Sequence, residues 1–95
     1  MKRVALFPGS FDPFTKGHED IVLRGLRLFD EVIIGIGRNP RKERYFPLEQ
    51  MIHLIEEAFR DYPAVRVISY DDLTASVARE AGARFLLRGL RNTTE

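Results

Sequence analysis

The stretch Phe7-Pro8-Gly9-Ser10-Phe11-Asp12-Pro13-Phe14-Thr15-Lys16-Gly17-His18 decides how the rest of the chain is read. An apolar run, Val4-Ala5-Leu6-Phe7, leads into it, and a helical pattern starts near Gly17. A strand, a loop carrying Gly and Ser, and a helix N-terminus together suit an anion. Backbone N–H groups without intrahelical partners and the positive end of the helix dipole face whatever sits there. His18, at the head of the helix, adds a side-chain donor at the same place. The loop is read as a phosphate site.

Outward from that loop, four short apolar runs alternate with helical patterns. The first strand covers roughly residues 2–7, and the first helix, about 17–28, repeats apolar residues at Ile21, Val22, Leu26, Leu28 and Phe29. Strand two, residues 32–36, is apolar on both faces, as a covered parallel strand is. The next loop, 37–44, is too charged to be buried. Pro47 suits the first turn of a second helix that runs to about Tyr62 and stops at Pro63, with Leu48, Ile52, Ile55 and Phe59 on one stripe. Strand three is expected over 64–68. Asp71 and Asp72 offer N-caps to a third helix striped by Leu73, Val77 and Ala81, with Gly82 as its C-cap. Strand four covers 85–87, and residues 88–95 read as one more strand-to-helix loop.

Strict β-α-β-α-β-α-β alternation implies an α/β fold, a doubly wound parallel sheet with right-handed crossovers and helices on both faces. In the order 3-2-1-4, strands one and four are neighbours and the topology switches between them, where such sheets bind ligands. The loops after strands one, two and four would then open on one edge.

Composition narrows the classes. The 95 residues are 44% hydrophobic and 31% charged, with a net charge of +1, which is ordinary for a single globular domain and gives no global field for nucleic acid or anionic lipid. The absence of cysteine removes disulfides, thiolate nucleophiles and Cys-based metal sites. No apolar stretch reaches the length of a membrane span and no signal-peptide core stands at the N-terminus, so a cytoplasmic enzyme is the default expectation.

His18 is the sharpest candidate: the helix dipole favours its neutral form, a bound phosphate its charged form, and either can donate to a phosphate oxygen. Ser10 is a loop-stabilising hydroxyl or a phosphate donor. Lys42 lies among Arg38, Arg41 and Arg44, a run that is either a solvated loop or a phosphate clamp. Arg88 ends an apolar strand, where burying it is costly unless it meets an anion. Asp12 could be a metal ligand, but it has no second acid beside it. His53, midway along helix two, reads as solvated. No acid or base is spaced to activate Ser10, and neither a Walker A pattern nor GxGxxG is present. What remains is direct phosphoryl or nucleotidyl transfer by positioning and charge stabilisation.

Pro8-Gly9-Ser10-Phe11-Asp12-Pro13 with Thr15-Lys16-Gly17-His18 resembles the signature of the nucleotidyltransferase superfamily. That motif alone would suit cytidylyltransferases or pyridine-nucleotide adenylyltransferases. With Lys42 and Arg88-Gly89-Leu90-Arg91, the chain is similar over all its residues to the bacterial phosphopantetheine adenylyltransferase family. The resemblance implies a Rossmann-like nucleotidyltransferase fold in one domain, 1–95. It implies adenylyl transfer from Mg-ATP (Mg2+ entering with the nucleotide) to 4′-phosphopantetheine, giving dephospho-coenzyme A and pyrophosphate. By this resemblance His18 and Lys42 are catalytic. Ser10, Lys42, Thr74 and Arg88 bind the acceptor, Ser10 standing where many relatives have Thr. Ser10, Phe11, His18, Gly89, Leu90 and Arg91 contact ATP. Coenzyme A as a further ligand and a hexameric assembly are also implied. Family members continue past the fourth strand with another strand, further helices and a Ser/Thr-rich loop that grips ATP. The chain is therefore expected to be truncated there, with a half-built nucleotide site. A phosphopantetheine-binding module without turnover, and a transferase using another phosphorylated acceptor, are the alternative expectations.

Overall fold

A computed structural model of the chain describes residues 2–38, 43–71 and 74–88. Its elements alternate: β1 (Val4–Gly9), α1 (Lys16–Gly25), β2 (Glu31–Gly37), α2 (Leu48–Ala58), β3 (Val65–Tyr70), α3 (Thr74–Ala81) and β4 (Phe85–Leu86). The strands form one parallel sheet in the order β3-β2-β1-β4, as the alternation predicts. β1 lies between β2 and β4, and the loop leaving its carboxyl end sits at the point where the winding reverses.

The register follows from the period-2 alternation of strand side chains. Val32, Ile34 and Ile36 of β2 join Phe7 of β1 on one face, where Val22 of α1 and Met51 and Ile55 of α2 cover them. Ile33 points the other way, to Val4 and Leu6 and under Val77 of α3. Ile33, Ile34 and Ile36 are fully buried, each stabilising the fold by about 1.5–3 kcal/mol relative to exposure. Gly35 has no room for more. A Cβ there would sit 2.9 Å from the Tyr70 ring and 3.0 Å from Leu6 Cδ1.

Several boundaries differ from the sequence reading, each for a local reason. β1 continues through Pro8 to Gly9, with Pro8 paired to Gly35 and Gly9 to Ile36. The Val4 and Leu6 carbonyls accept from the β4 side, and alternation turns Pro8 to that same side. There β4 has ended at Leu86, so the missing Pro8 N–H interrupts no ladder. α1 ends at Gly25, and Leu26 caps it by donating to the Arg24 and Val22 carbonyls. α2 ends at Ala58, before Pro63 is reached; turn bonds such as Tyr62 N–H to Phe59 O carry the chain onward. Pro47 stands one position earlier than expected, as the N-cap, its carbonyl taking the first helical bond from Met51 N–H. Gly82 does take the left-handed conformation (φ 79°) that a helix end favours. Asp71, expected as an N-cap, has both its oxygens held by the Arg38 guanidinium, at 2.8 Å each; Asp72 and Leu73 lie outside the described residues.

Candidate functional site: an anion-suited cleft at the carboxyl end of β1

Phe11 shapes the loop after β1. It takes φ 46°, unusual for a residue with a Cβ, and its ring is buried over Gly9. A side chain on Gly9 would meet the Phe11 ring at 2.9 Å, so glycine is needed here for close approach. The ring stands edge-on to Phe7 at 5.1 Å and to the His18 imidazole at 5.0 Å, with Phe14 at 5.4 Å. Phe14 is fixed in turn by its N–H, which donates to the Met51 sulfur of α2 at 3.4 Å. An apolar cluster built by the sheet and α2 thus sets the plane of the histidine ring.

The first turn of α1 sets its protonation pattern. Thr15 is the N-cap, and its Oγ1 accepts from His18 N–H at 3.4 Å. In return Thr15 N–H donates to His18 Nδ1 at 2.9 Å, closing a capping box with His in the position usually held by Glu. Nδ1 can accept only when it carries no proton, so the neutral ring carries its hydrogen on Nε2. The result is a donor at a helix N-terminus, beside the Gly17 amide and the dipole's positive end.

Opposite this turn the loop is interlocked with the segment leading into α2. Asp12 accepts Tyr45 N–H at 2.7 Å and Phe46 N–H at 2.8 Å. Arg44 reaches back, donating from Nη1 to Ser10 O at 2.6 Å and from Nη2 to Phe11 O at 2.9 Å. Its Nε donates to Phe46 O at 2.8 Å, and the Asp12 carboxylate lies 3.8 Å away. Arg44 is half-buried, which corrects the expectation that the whole of 37–44 is solvated; the loop carbonyls give its guanidinium the partners that burial demands. The Asp12 carboxylate thus accepts two backbone N–H groups, and among the described residues no three His, Asp or Glu side chains come together.

Between the loop and α1 lies a cleft of about 810 Å³, lined by residues 7–13 together with Thr15, Gly17, His18, Asp20, Ile21 and Arg24. Of the candidates, it brings together Ser10, Phe11 and His18. Ser10 is exposed at its rim. Phe11 keeps its ring in the core and can meet a ligand only through its backbone. Arg88 follows β4 next to β1 but is exposed and does not line the cleft, so the cost of burying it no longer argues for an anion there. Thr74 opens α3 on the opposite face of the sheet. Lys42, Gly89, Leu90 and Arg91 lie outside the described residues. His53 is exposed, as read. Residue types alone missed Thr15 and Arg44. A Thr three residues before a helical His is a findable capping signal, whereas nothing local marks Arg44, whose loop partners lie 33 and 34 residues away.

A parallel Rossmann-like sheet with an anion-suited loop at its switch point is the architecture of nucleotide-handling α/β proteins. Solved structures superpose on it. The bifunctional NMN adenylyltransferase/ADP ribose pyrophosphatase from Francisella tularensis matches at TM-score 0.63 and 30% identity, over 76% of this chain and 23% of that one. The lipopolysaccharide core biosynthesis protein from Thermoplasma volcanium shares the fold at TM-score 0.70 and 20% identity, over 90% and 73%. The cytidylyltransferase-like family model matches residues 6–95, and the chain belongs to that family. It is 58% identical over 95 residues to the phosphopantetheine adenylyltransferase of Cytophaga hutchinsonii and 47% identical over 93 to that of Bacteroides fragilis. These alignments take in 100% and 98% of this chain but 63% and 62% of the relatives, so the chain spans less than two thirds of their length. No helix among the described residues is long and apolar enough to cross a membrane.

Proposed function

We propose that this chain carries the acceptor and catalytic-loop side of an adenylyltransferase that joins the AMP moiety of Mg-ATP to 4′-phosphopantetheine, releasing pyrophosphate and forming dephospho-coenzyme A. The observation that carries the reading is the Thr15–His18 capping box. It sets the imidazole with Nε2–H as donor at the head of α1, in a cleft of about 810 Å³. The 58% identity to a relative bearing the phosphopantetheine adenylyltransferase name supports this donor and this acceptor.

In the proposed reaction a phosphate oxygen of the acceptor attacks the α-phosphorus of ATP in line. The bond to the bridging oxygen breaks, pyrophosphate leaves with the electron pair, and no covalent enzyme intermediate forms. Charge grows on the oxygens around the α-phosphorus. A preorganised donor such as His18 Nε2–H is worth about 10²–10³ in rate there. Lys42 shares that task and, with Ser10, holds the reacting phosphates. Arg88 binds the acceptor phosphate and the backbone at Thr74 its pantetheine arm. Ser10, Phe11, Gly89, Leu90 and Arg91 contact the nucleotide. Mg2+ arrives on the ATP phosphates as part of the substrate. On this reading residues 1–95 belong to one nucleotidyltransferase domain of a cytoplasmic homo-oligomer that also has affinity for coenzyme A.

The test is pyrophosphate release from Mg-ATP with 4′-phosphopantetheine, nicotinamide mononucleotide serving as the control acceptor. Release with phosphopantetheine alone, lowered about 10²–10³-fold by His18→Ala, is expected. Equal release with the control would reassign the acceptor. Calorimetric binding of phosphopantetheine without any turnover would make the chain a binding module.

A further inference from the structure

We infer that Arg44 is a positioning residue that sets the peptide planes of the β1–α1 loop and makes that loop and the segment entering α2 move as one unit. This rests on the function proposed above. A guanidinium is planar and presents its donors in a fixed fork. Here two arms of the fork hold the two carbonyls that flank the Phe11 Cα, Ser10 O at 2.6 Å and Phe11 O at 2.9 Å. The third donor, Nε, turns back to Phe46 O at 2.8 Å. Fixing both carbonyls fixes both peptide planes, and with them the φ and ψ of Phe11. That residue sits at φ 46°, a conformation that persists only where surroundings over-determine it.

In a trans peptide the N–H points opposite to the C=O. With both carbonyls turned toward Arg44, the Phe11 and Asp12 N–H groups are turned away from it together, a pair of donors of the kind that cradles an anion. Arg44 directs three of its donors to carbonyls, with the Asp12 carboxylate 3.8 Å from Nη2, so it acts on the loop backbone. Asp12 locks the unit from the other side by accepting Tyr45 and Phe46 N–H. The side chain stays half-buried while the other described cation of the run, Arg38, is exposed and spent on Asp71. The run is therefore not a uniform solvated charge cluster. One member builds the site's backbone from 33 and 34 residues away.

The experiment compares the full chain with Arg44→Met, which keeps the aliphatic stem, and with Arg44→Lys, which keeps the charge but lacks the planar fork that spans both carbonyls. Arg60→Ala, removing an exposed arginine paired with Glu57 on the surface, is the control. Steady-state rates with Mg-ATP and 4′-phosphopantetheine should show kcat lowered between about tenfold and 100-fold in Arg44→Met, with KM for ATP raised. Arg44→Lys should stay impaired and Arg60→Ala should match the parent. Inorganic pyrophosphate, titrated calorimetrically, should bind at least about tenfold more weakly to Arg44→Met. Unchanged kcat and KM in Arg44→Met, with at most a lower melting temperature, would reduce Arg44 to a structural strut. Full activity in Arg44→Lys would show that charge rather than the fork matters, which equally overturns the inference. A parent that turns over no acceptor removes the functional reading alone, because the pyrophosphate titration still decides the role of Arg44. If the parent binds no pyrophosphate, the loop is no anion site and the inference falls.

Discussion

Thr15 and His18 hold one another across the first turn of α1. The threonine hydroxyl caps the histidine N–H, and the histidine Nδ1 takes the threonine N–H at 2.9 Å. The hydroxyl also lies 3.1 Å from Nδ1, and the backbone N–H bond to the ring does not depend on it. Thr15→Ala should therefore cost about 1 kcal/mol of stability, measured by urea denaturation, and less than about tenfold in turnover. His18→Ala should cost about 10²–10³ in kcat, measured by pyrophosphate release. Equal losses of activity in the two variants would show that the hydroxyl, not the backbone N–H, orients the ring.

Gly35 is enclosed by the Tyr70 ring and the fully buried Leu6. Gly35→Ala overpacks that site at a cost of about 1–3 kcal/mol, against about 0.4–1 kcal/mol gained from a stiffer unfolded chain. A lower urea midpoint with an unchanged slope is the expected result.

Met51 fills the core under the loop and accepts the Phe14 N–H. Met51→Leu conserves volume but removes the acceptor, leaving a buried donor unpaired, a loss of about 1–3 kcal/mol. Met51→Ala adds a cavity and should cost about 2–5 kcal/mol. Thermal melts of the two variants separate the hydrogen bond from the packing.

Arg38 and Asp71 tie the carboxyl ends of β2 and β3 by a two-pronged ion pair, with Arg38 N–H also donating to Tyr70 O at 2.9 Å. Both side chains are about half exposed, at 49% and 56%. Screening by water should hold the coupling in a double-mutant cycle to about 0.2–1 kcal/mol. It should shrink further as salt is raised. A larger coupling that ignores salt would mean the pair is shielded by something bound over it.

By itself the sequence determined the order of elements, the parallel sheet with order 3-2-1-4 and the loop at its switch point. It also determined that His18 stands at a helix head. These follow from apolar periodicity and from Gly, Pro and capping residues acting on their immediate neighbours, so short windows contain them. Helix ends were less legible, because turn bonds after Ala58 compete with Pro63 as the stop. Only the tertiary structure decided that Arg44 is half-buried, that the Asp12 carboxylate meets the Tyr45 and Phe46 N–H groups, and that Asp71 meets Arg38. It also decided that the Phe11 ring belongs to the core while its peptides border the cleft. Each of these depends on where two distant parts of the chain meet, and a side chain's partner across 33 residues is set by the path of the backbone between them, not by the residues beside it.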